Sequence, residues 1–243
     1  MKSRKKKNKK TIKGFIKRII ILIIIIATVM VGKICIVGYN MYEQAISQTS
    51  LSDKIAQIRS DKDYVKIDKM PIDYKNAVIA IEDHRFYEHG GIDYVATFRA
   101  VLRDIKIGQL AEGGSTITQQ LAKNMYFTQE KRFERKIAEL FVAFKLEKEY
   151  SKDDILEMYI NIMYFGNGYY GIGKACRGYL YKEPLQMTLY ESTLLAGLPN
   201  APTVYALNTN PGLAKERQDQ VIDCMVKYNY LSLDKAQEIK AMK

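Results

Sequence analysis

One uninterrupted apolar run constrains this chain more than any other feature. From Ile19 to Tyr39 the sequence reads IIILIIIIATVMVGKICIVGY. As a helix those residues extend about 31 Å, the thickness of the hydrocarbon core of a bilayer. The single charge in the run, Lys33, lies in its outer third, where a long aliphatic stem can carry the ammonium to the headgroups. Tyr39 and Tyr42 follow where amphipathic rings settle. A cleaved secretory signal is the alternative reading. The length of the run, its internal lysine and the weakness of the nearest small-x-small site, Ala45-Ile46-Ser47, favour an uncleaved anchor.

Charge orients the anchor and removes one class of function. The formal net charge is +11, yet residues 1–18 carry eight Lys, two Arg and no acid. The rest of the chain therefore sums to about +1, without the basic stripe that a nucleic-acid groove needs. Ten cations ahead of the span hold the N-terminus in the cytoplasm and are drawn to anionic lipids. Everything after residue 40 is then outside. Cys35, Cys176 and Cys224 show no CxxC spacing and the chain has two His, which argues against a zinc site and a disulfide framework. Isolated cysteines of this kind are usually small buried apolar residues, and a Cys176–Cys224 bridge is the less favoured alternative.

Residues 40–70 are polar, with a short helix expected around Leu51–Ile58 and an extended stretch at Tyr64–Ile67. Beyond Pro71 the pattern is helical. Pro71 suits a first helical position ahead of Ala77, Val78, Ala80 and Ile81. Ser115 is placed to cap a helix to about Asn124, and Glu130–Tyr150 carries a one-sided apolar stripe. Ser151 with Asp154 reads as a capping box for a helix to about Asn161, and Pro184 and Pro211 stand where helices begin. Tyr164–Gly173 (YFGNGYYGIG) holds four glycines, which suit either a tight interhelical loop or close approach to a ligand.

Three clusters bear chemistry. Glu82 ends the apolar run AVIAI, so its carboxylate belongs at the edge of a core, where partial desolvation raises its pKa toward a useful proton acceptor. It could equally be a helix-end acid paired with Arg85 or Lys75. GGSTITQQ at 113–120, followed by Lys123-Asn124, gathers hydroxyls, amides and a lysine at a helix N-terminus, where free N–H groups favour anions; a well-capped surface helix reads the same. In KRFERKIAE at 131–139, Glu139 falls four residues after Arg135 beside core-facing Leu140 and Phe141. A solvated ion-paired face is the ordinary meaning of such a run.

Taken together, EDHRFYEHGG at 82–91, GGSTITQQLAKN at 113–124, RKIAE at 135–139, YINIMYFGNGYYGI at 159–172 and LLAGLPNAP at 194–202 resemble, in order and spacing, the five motifs of the peptidoglycan glycosyltransferases of family 51. These are the lysozyme-like domains of monofunctional wall polymerases and class A penicillin-binding proteins. The resemblance covers about residues 65–230. It implies a mainly α, lysozyme-like domain with a membrane-associated subdomain, arranged as a basic tail (1–18), a transmembrane helix (19–39), a stalk (40–64) and a glycosyltransferase domain (65–243). It implies polymerisation of lipid II into a β-1,4 glycan, with inversion, release of undecaprenyl pyrophosphate and sensitivity to moenomycin. By the same resemblance Glu82 is the general base and Glu139 the second acid. Asp83, Ser115, Thr118, Gln120, Lys123, Lys131, Arg132 and Arg135 are ligands of sugar and pyrophosphate. Lys131 stands where the family often has arginine, and Ala138 where it sometimes has lysine. No cofactor is required by this reading, although Mg or Mn near Glu139 and the pyrophosphate is compatible with it. The implied partners are lipid II, the growing strand, the bilayer and other cell-wall synthesis proteins.

The chemistry agrees with transfer. A glycosidase must protonate a poor alkoxide leaving group with a neutral carboxylic acid; a pyrophosphate leaves readily when cations receive its charge. One base candidate and a surplus of cations near a second acid fit transfer better than the rival reading of a lysozyme-like glycan cleaver, and a non-catalytic scaffold has no need of both acids. Residues 98–110 and Met125-Tyr126-Phe127 are apolar with flanking cations, as expected of segments that dip into the headgroup layer. Ser232–Lys235 fits an SxxK spacing, but only eight residues follow and no KTG occurs, so a penicillin-reactive domain is not expected in this chain.

Overall fold

A computed structural model describes residues 2–107, 114–128 and 132–242, with side chains from Gly14 onward except at 101 and 104–107. It is mainly α, as expected; among the described residues the only β pairing is an isolated bridge between Tyr164 and Tyr170. The first helix, α1 (Lys2–Gln48), contains the apolar run, and its side chains from 14 to 31 are exposed. It is long and apolar enough to cross a bilayer. It does not stop at Tyr39: it continues unbroken for nine more residues, so the segment expected as a stalk begins as an extension of the anchor.

The folded body also starts earlier than residue 65. α2 (Leu51–Arg59), capped by Ser50, buries Leu51 and Ile55 in the main core. The extended stretch after it is held like a strand by side chains of α7 (Lys152–Ile162): Asn161 donates to Val65 O and accepts from Val65 N, both at 2.8 Å, and Glu157 accepts from Ile67 N at 2.8 Å and Tyr64 OH at 2.6 Å. One carboxylate oxygen and one amide thus satisfy backbone that has no sheet to join.

At the centre lies α3 (Ile72–Glu82), for which Pro71 is the N-cap. It buries Tyr74 and the unbroken set Ala77–Ala80, and packs against α9 (Leu189–Gly197) and α10 (Pro211–Lys227). A helix buried on nearly all sides needs no amphipathic stripe. On the other side of the core, α5 (Ile117–Tyr126) packs on α6 (Phe133–Glu149) and α7. The capping box at Ser151 opens α7, and Pro211 opens α10, both as expected. Ser232 is the N-cap of the last helix, Leu233–Ala241, which accounts for its spacing to Lys235.

The glycine-rich run between α7 and α8 (Ile172–Leu180) is a tight turn against the protein itself. Gly166 (φ 86°) and Gly171 (φ 82°) sit in the left-handed region, and a Cβ on either would lie 2.4–2.5 Å from the carbonyl oxygens of Pro202 and Asn161. The backbone these glycines approach belongs to the chain, not to a ligand. Cys176 is buried and Cys224 partly buried; neither is in a disulfide.

Candidate active site

Because α3 ends at Glu82, the last side chain of a buried helix becomes the first of a cleft. The helix stops because Asp83 leaves helical geometry (φ −157°, ψ 74°) and commits its carboxylate elsewhere: one oxygen accepts from His89 Nε2 at 2.8 Å and the other from Ile117 N at 3.1 Å. Asp83 therefore ties the end of α3 to the start of α5, and it is itself buried. Burial alone would depress the His89 pKa, but its bond to Asp83 and one to the Gly90 carbonyl raise it on balance.

Glu82 and Gln120 meet across this junction. Gln120 Nε2 donates to Glu82 Oε2 at 2.7 Å, and Gln120 Oε1 is 3.3 Å from Tyr159 OH. The other carboxylate oxygen, Oε1, makes no hydrogen bond within the described residues and has Arg217 Nη2 at 3.9 Å. Desolvation raises the Glu82 pKa; the Gln120 bond and the Arg217 charge pull it back, and neighbouring Asp83 pushes it up again. The carboxylate is thus a largely desolvated base candidate with one oxygen free of hydrogen bonds among the described residues.

The cleft it lines encloses about 270 Å³, with Ser115, Thr116, His84 and Tyr228 on its walls. His84 stacks on Tyr228, ring centroids 3.9 Å apart. One whole side comes from α4 (Tyr94–Ile107), which presents Ala96, Arg99, Ala100 and Arg103 at helical spacing. Its opposite face exposes Tyr94, Val95, Phe98 and Leu102. The N-terminus of α4 is pinned by Asp93, which accepts from Val95 N and Ala96 N at 2.9 Å and pairs bidentately with Arg85 at 2.6 and 3.0 Å. Although burial opposes ionisation, these donors hold Asp93 down to about 2.

The helix N-terminus expected to receive an anion is already occupied. Thr116, not Ser115, caps α5, accepting from Gln119 N while Gln119 Oε1 accepts from Thr116 N. With Ile117 N given to Asp83, two of the first donors are used inside the protein. Ser115 instead engages a cation. Its hydroxyl accepts from Lys136 Nζ at 2.7 Å, and the same ammonium reaches Glu139 Oε2 at 3.0 Å. Glu139 is fully buried on α6, with Arg135 Nη1 3.4 Å from its second oxygen. Arg135 also donates to Thr128 O at 2.9 Å. Positive side chains, rather than free backbone N–H groups, therefore gather at this end.

Of the residues predicted from sequence, Glu82, Asp83 and Ser115 line the cleft, Gln120 joins them through its bond to Glu82, and Arg135 and Glu139 through Lys136. Lys123 lies on α5 one turn beyond Gln120. Thr118 does not join them: it is fully buried and its hydroxyl donates to Glu147 at 2.5 Å, in a pair with Lys152. Arg132 is half-exposed at the N-cap of α6, 3.7 Å from Glu134, and Lys131 lies outside the described residues, as do 108–110 of the apolar segment 98–110. Met125 is buried, and Tyr126 and Phe127 pack on the core with Tyr126 OH on Thr49 O, so this segment is not the headgroup-dipping one expected. Arg217, Arg99 and Arg103 are not marked for the site by anything local in their helices. Lys136 is marked, standing three residues before Glu139 on the same face.

At Glu139 the protein offers one carboxylate, paired with Arg135 and Lys136, so a divalent cation there would draw most of its oxygen ligands from the pyrophosphate and water. Asp83, His89 and Asp93 bring ligand atoms within 4.8 Å of one another, but their lone pairs are engaged by each other, by Arg85 and by backbone N–H groups.

The family described as Transglycosylase matches residues 50–226. The chain is 41% identical over 229 residues to Penicillin-binding protein 1F of Bacillus subtilis (strain 168), covering 90% of this chain and 32% of that protein. It is 37% identical over 219 residues to "Putative transglycosylase H16_A0665" of Cupriavidus necator, covering 90% and 91%. With Penicillin-binding protein 1A of Neisseria lactamica it shares 44% over 172 residues, 71% of this chain and 22% of that one. It thus spans a third or less of these two penicillin-binding relatives and nine-tenths of the Cupriavidus protein. Among solved structures, Penicillin-Binding Protein 1A from Haemophilus influenzae aligns over 52% of this chain and 16% of its own, with a TM-score of 0.35 and 22% identity. With its family signature running from α2 into α10, through Glu82, Ser115, Gln120 and Glu139, the chain belongs to the transglycosylase family, the glycosyltransferases of peptidoglycan synthesis.

Proposed function

We propose that this chain polymerises lipid II on the outer face of the membrane, with Glu82 as the general base. The observation that carries the reading is one cleft with two unlike ends. At one, a desolvated carboxylate is steadied by Gln120 and keeps one oxygen unbonded; at the other, Ser115 leads through Lys136 to a buried acid wrapped in cations.

In this mechanism Glu82 takes the proton from the acceptor sugar's 4-hydroxyl as that oxygen attacks the anomeric carbon of the growing strand. The bond from that carbon to the diphosphate breaks on the opposite face, giving inversion, and undecaprenyl pyrophosphate departs. Its developing charge falls on Lys136 and Arg135, with Lys123 and the α4 arginines as further cations. Glu139 holds Lys136 and Arg135 in place and neutralises them while the site is empty, so that they are preorganised for the leaving group. Gln120 fixes which oxygen of Glu82 faces the hydroxyl. The positive N-terminal tail keeps the catalytic body outside.

Purified full-length chain mixed with lipid II should form glycan, and Glu82→Gln should reduce the rate by about 10²–10⁴, the range for loss of a general base. Moenomycin should block the wild-type reaction. Shortening of finished glycan with no use of lipid II would instead make the protein a cleaver, and an unchanged rate in Glu82→Gln would remove the base.

A further inference from the structure

The anchor meets the catalytic body at one point of unusually close contact. A Cβ on Gly38 would lie 2.6 Å from Ile137 Cβ and 2.7 Å from Glu134 O. The backbones of α1 and α6 approach so closely there that no other residue fits without moving one of them. Tyr39 beside it and Tyr42 one turn on pack on Phe141 with ring centroids 5.2 and 5.6 Å away. Contacts advance together along both helices, so α1 and α6 run parallel, and the N-terminal end of α6, with Phe133 73% exposed, points back toward the bilayer.

This fixes a height. The apolar span ends at Tyr39, next to the seat, and Glu139 follows Ile137 by two residues, a rise of about 3 Å. Glu139 then lies within the polar layer, which is about 5–7 Å thick on each side of a bilayer, and the backbones of Arg135 and Lys136 lie at its inner edge, from which long side chains reach into it. A lipid-linked diphosphate occupies that same layer. We infer that Gly38 is a positioning residue: by seating α6 directly on a rigid membrane helix, it holds the cation cluster at the depth of the donor's diphosphate, so that the substrate need not rise from the bilayer. The inference rests on the glycosyltransferase reading for its consequence, and on the helix contact alone for its geometry.

Two measurements test it. The chain contains no tryptophan, so Phe133→Trp supplies a unique fluorophore at the membrane end of α6. In vesicles made with lipids brominated near the headgroup, that reporter should be quenched strongly, and adding Gly38→Leu should lower the quenching at least twofold. Polymerisation of lipid II in vesicles should fall at least tenfold in Gly38→Leu but less than threefold in detergent micelles, which impose no fixed plane. Gly32→Leu is the control, since a Cβ at Gly32 has nothing within 4 Å; it should stay within twofold in both media. If Gly38→Leu does not fold, Gly38→Ala carries the same clash with Ile137 and enters the same assays. Equal losses in vesicles and micelles, or a quenching profile that ignores Gly38, would overturn the inference. If the parent protein forms no polymer at all, the activity reading fails, while the quenching still decides the seat.

Discussion

Gln120 donates its side-chain amide to one oxygen of Glu82 at 2.7 Å and leaves the other without a hydrogen bond among the described residues. A carboxylate held this way has a chosen face and a chosen protonation range. Removing the donor in Gln120→Ala takes away the strongest influence that lowers the Glu82 pKa. The acid limb of the pH–rate profile should therefore move to higher pH, because the base must be ionised to act. Loss of a hydrogen bond to a charged group, about 1.5–3 kcal/mol, corresponds to a rate loss of about 10- to 100-fold near neutrality. An unmoved acid limb would mean that Gln120 only packs.

Glu82 is expected to serve activity at the expense of stability. Its folded pKa is raised, so its favourable contribution exists below the unfolded value and is lost as pH rises through the folded one. At neutral pH the ionised group weighs against the fold. Glu82→Gln should then melt higher than wild type at pH 7 and show little gain near pH 4. About 1 kcal/mol of relief corresponds to roughly 2–4 °C in a chain of this size. A lower Tm for the variant at pH 7 would show that the charge is well solvated in place.

Lys136 bridges Ser115 and Glu139, and in the proposed mechanism the charge it offers is wanted most as the diphosphate leaves. Lys136→Met should lower kcat by about 10²-fold with a smaller change in KM, the mark of an interaction made in the transition state. Lys136→Arg keeps the charge and should recover part of the rate. Steady-state kinetics on lipid II would decide, and a change confined to KM would reassign Lys136 to ground-state binding.

What is legible in the sequence follows from physical range. The span, the capping box at Ser151 and the helix beginning at Pro211 depend on neighbours within a few residues, and each can be read there; the apolar stripe expected on α6 is not its buried face, which is Ala138, Glu139, Val142, Ala143 and Leu146, while Phe144 is exposed. Glu82 stands out because a charge terminates an apolar run. Arg217 does not, since it reaches Glu82 from 135 positions away on a helix of ordinary pattern. The cap of α5 falls one residue later than expected because Ser115 and Thr116 are both good caps; the choice is made by Gly91 O, which takes the Thr116 hydroxyl at 2.9 Å. The polarity of its motif points Thr118 to the site, yet its helical phase turns it away toward Glu147.

That phase gives a test at Thr118 itself. Thr118→Val keeps the shape and removes a buried hydroxyl bonded to a carboxylate that remains. Stability should drop by about 1.5–3 kcal/mol, while kcat and KM for lipid II stay within twofold below the melting transition. A variant with normal Tm and lost substrate affinity would return Thr118 to the binding set.

Gly197, in the LLAGLPNAP motif, connects that motif to the base through Arg217. A Cβ at Gly197 would lie 2.9 Å from Arg217 Cγ, so Gly197→Ala pushes the arginine stem away from α9. Arg217 is the cation that helps keep Glu82 ionised. Ala is the better helix former by about 1 kcal/mol, so propensity alone predicts a harmless or stabilising change. The contact predicts otherwise: the acid limb of the pH–rate profile should shift upward and the neutral rate should fall several-fold without loss of Tm. Arg217→Lys, which keeps a charge on a shorter reach, should move the limb in the same direction. If Gly197→Ala leaves the profile where it was, Arg217 does not govern Glu82, and the role of this motif lies in packing alone.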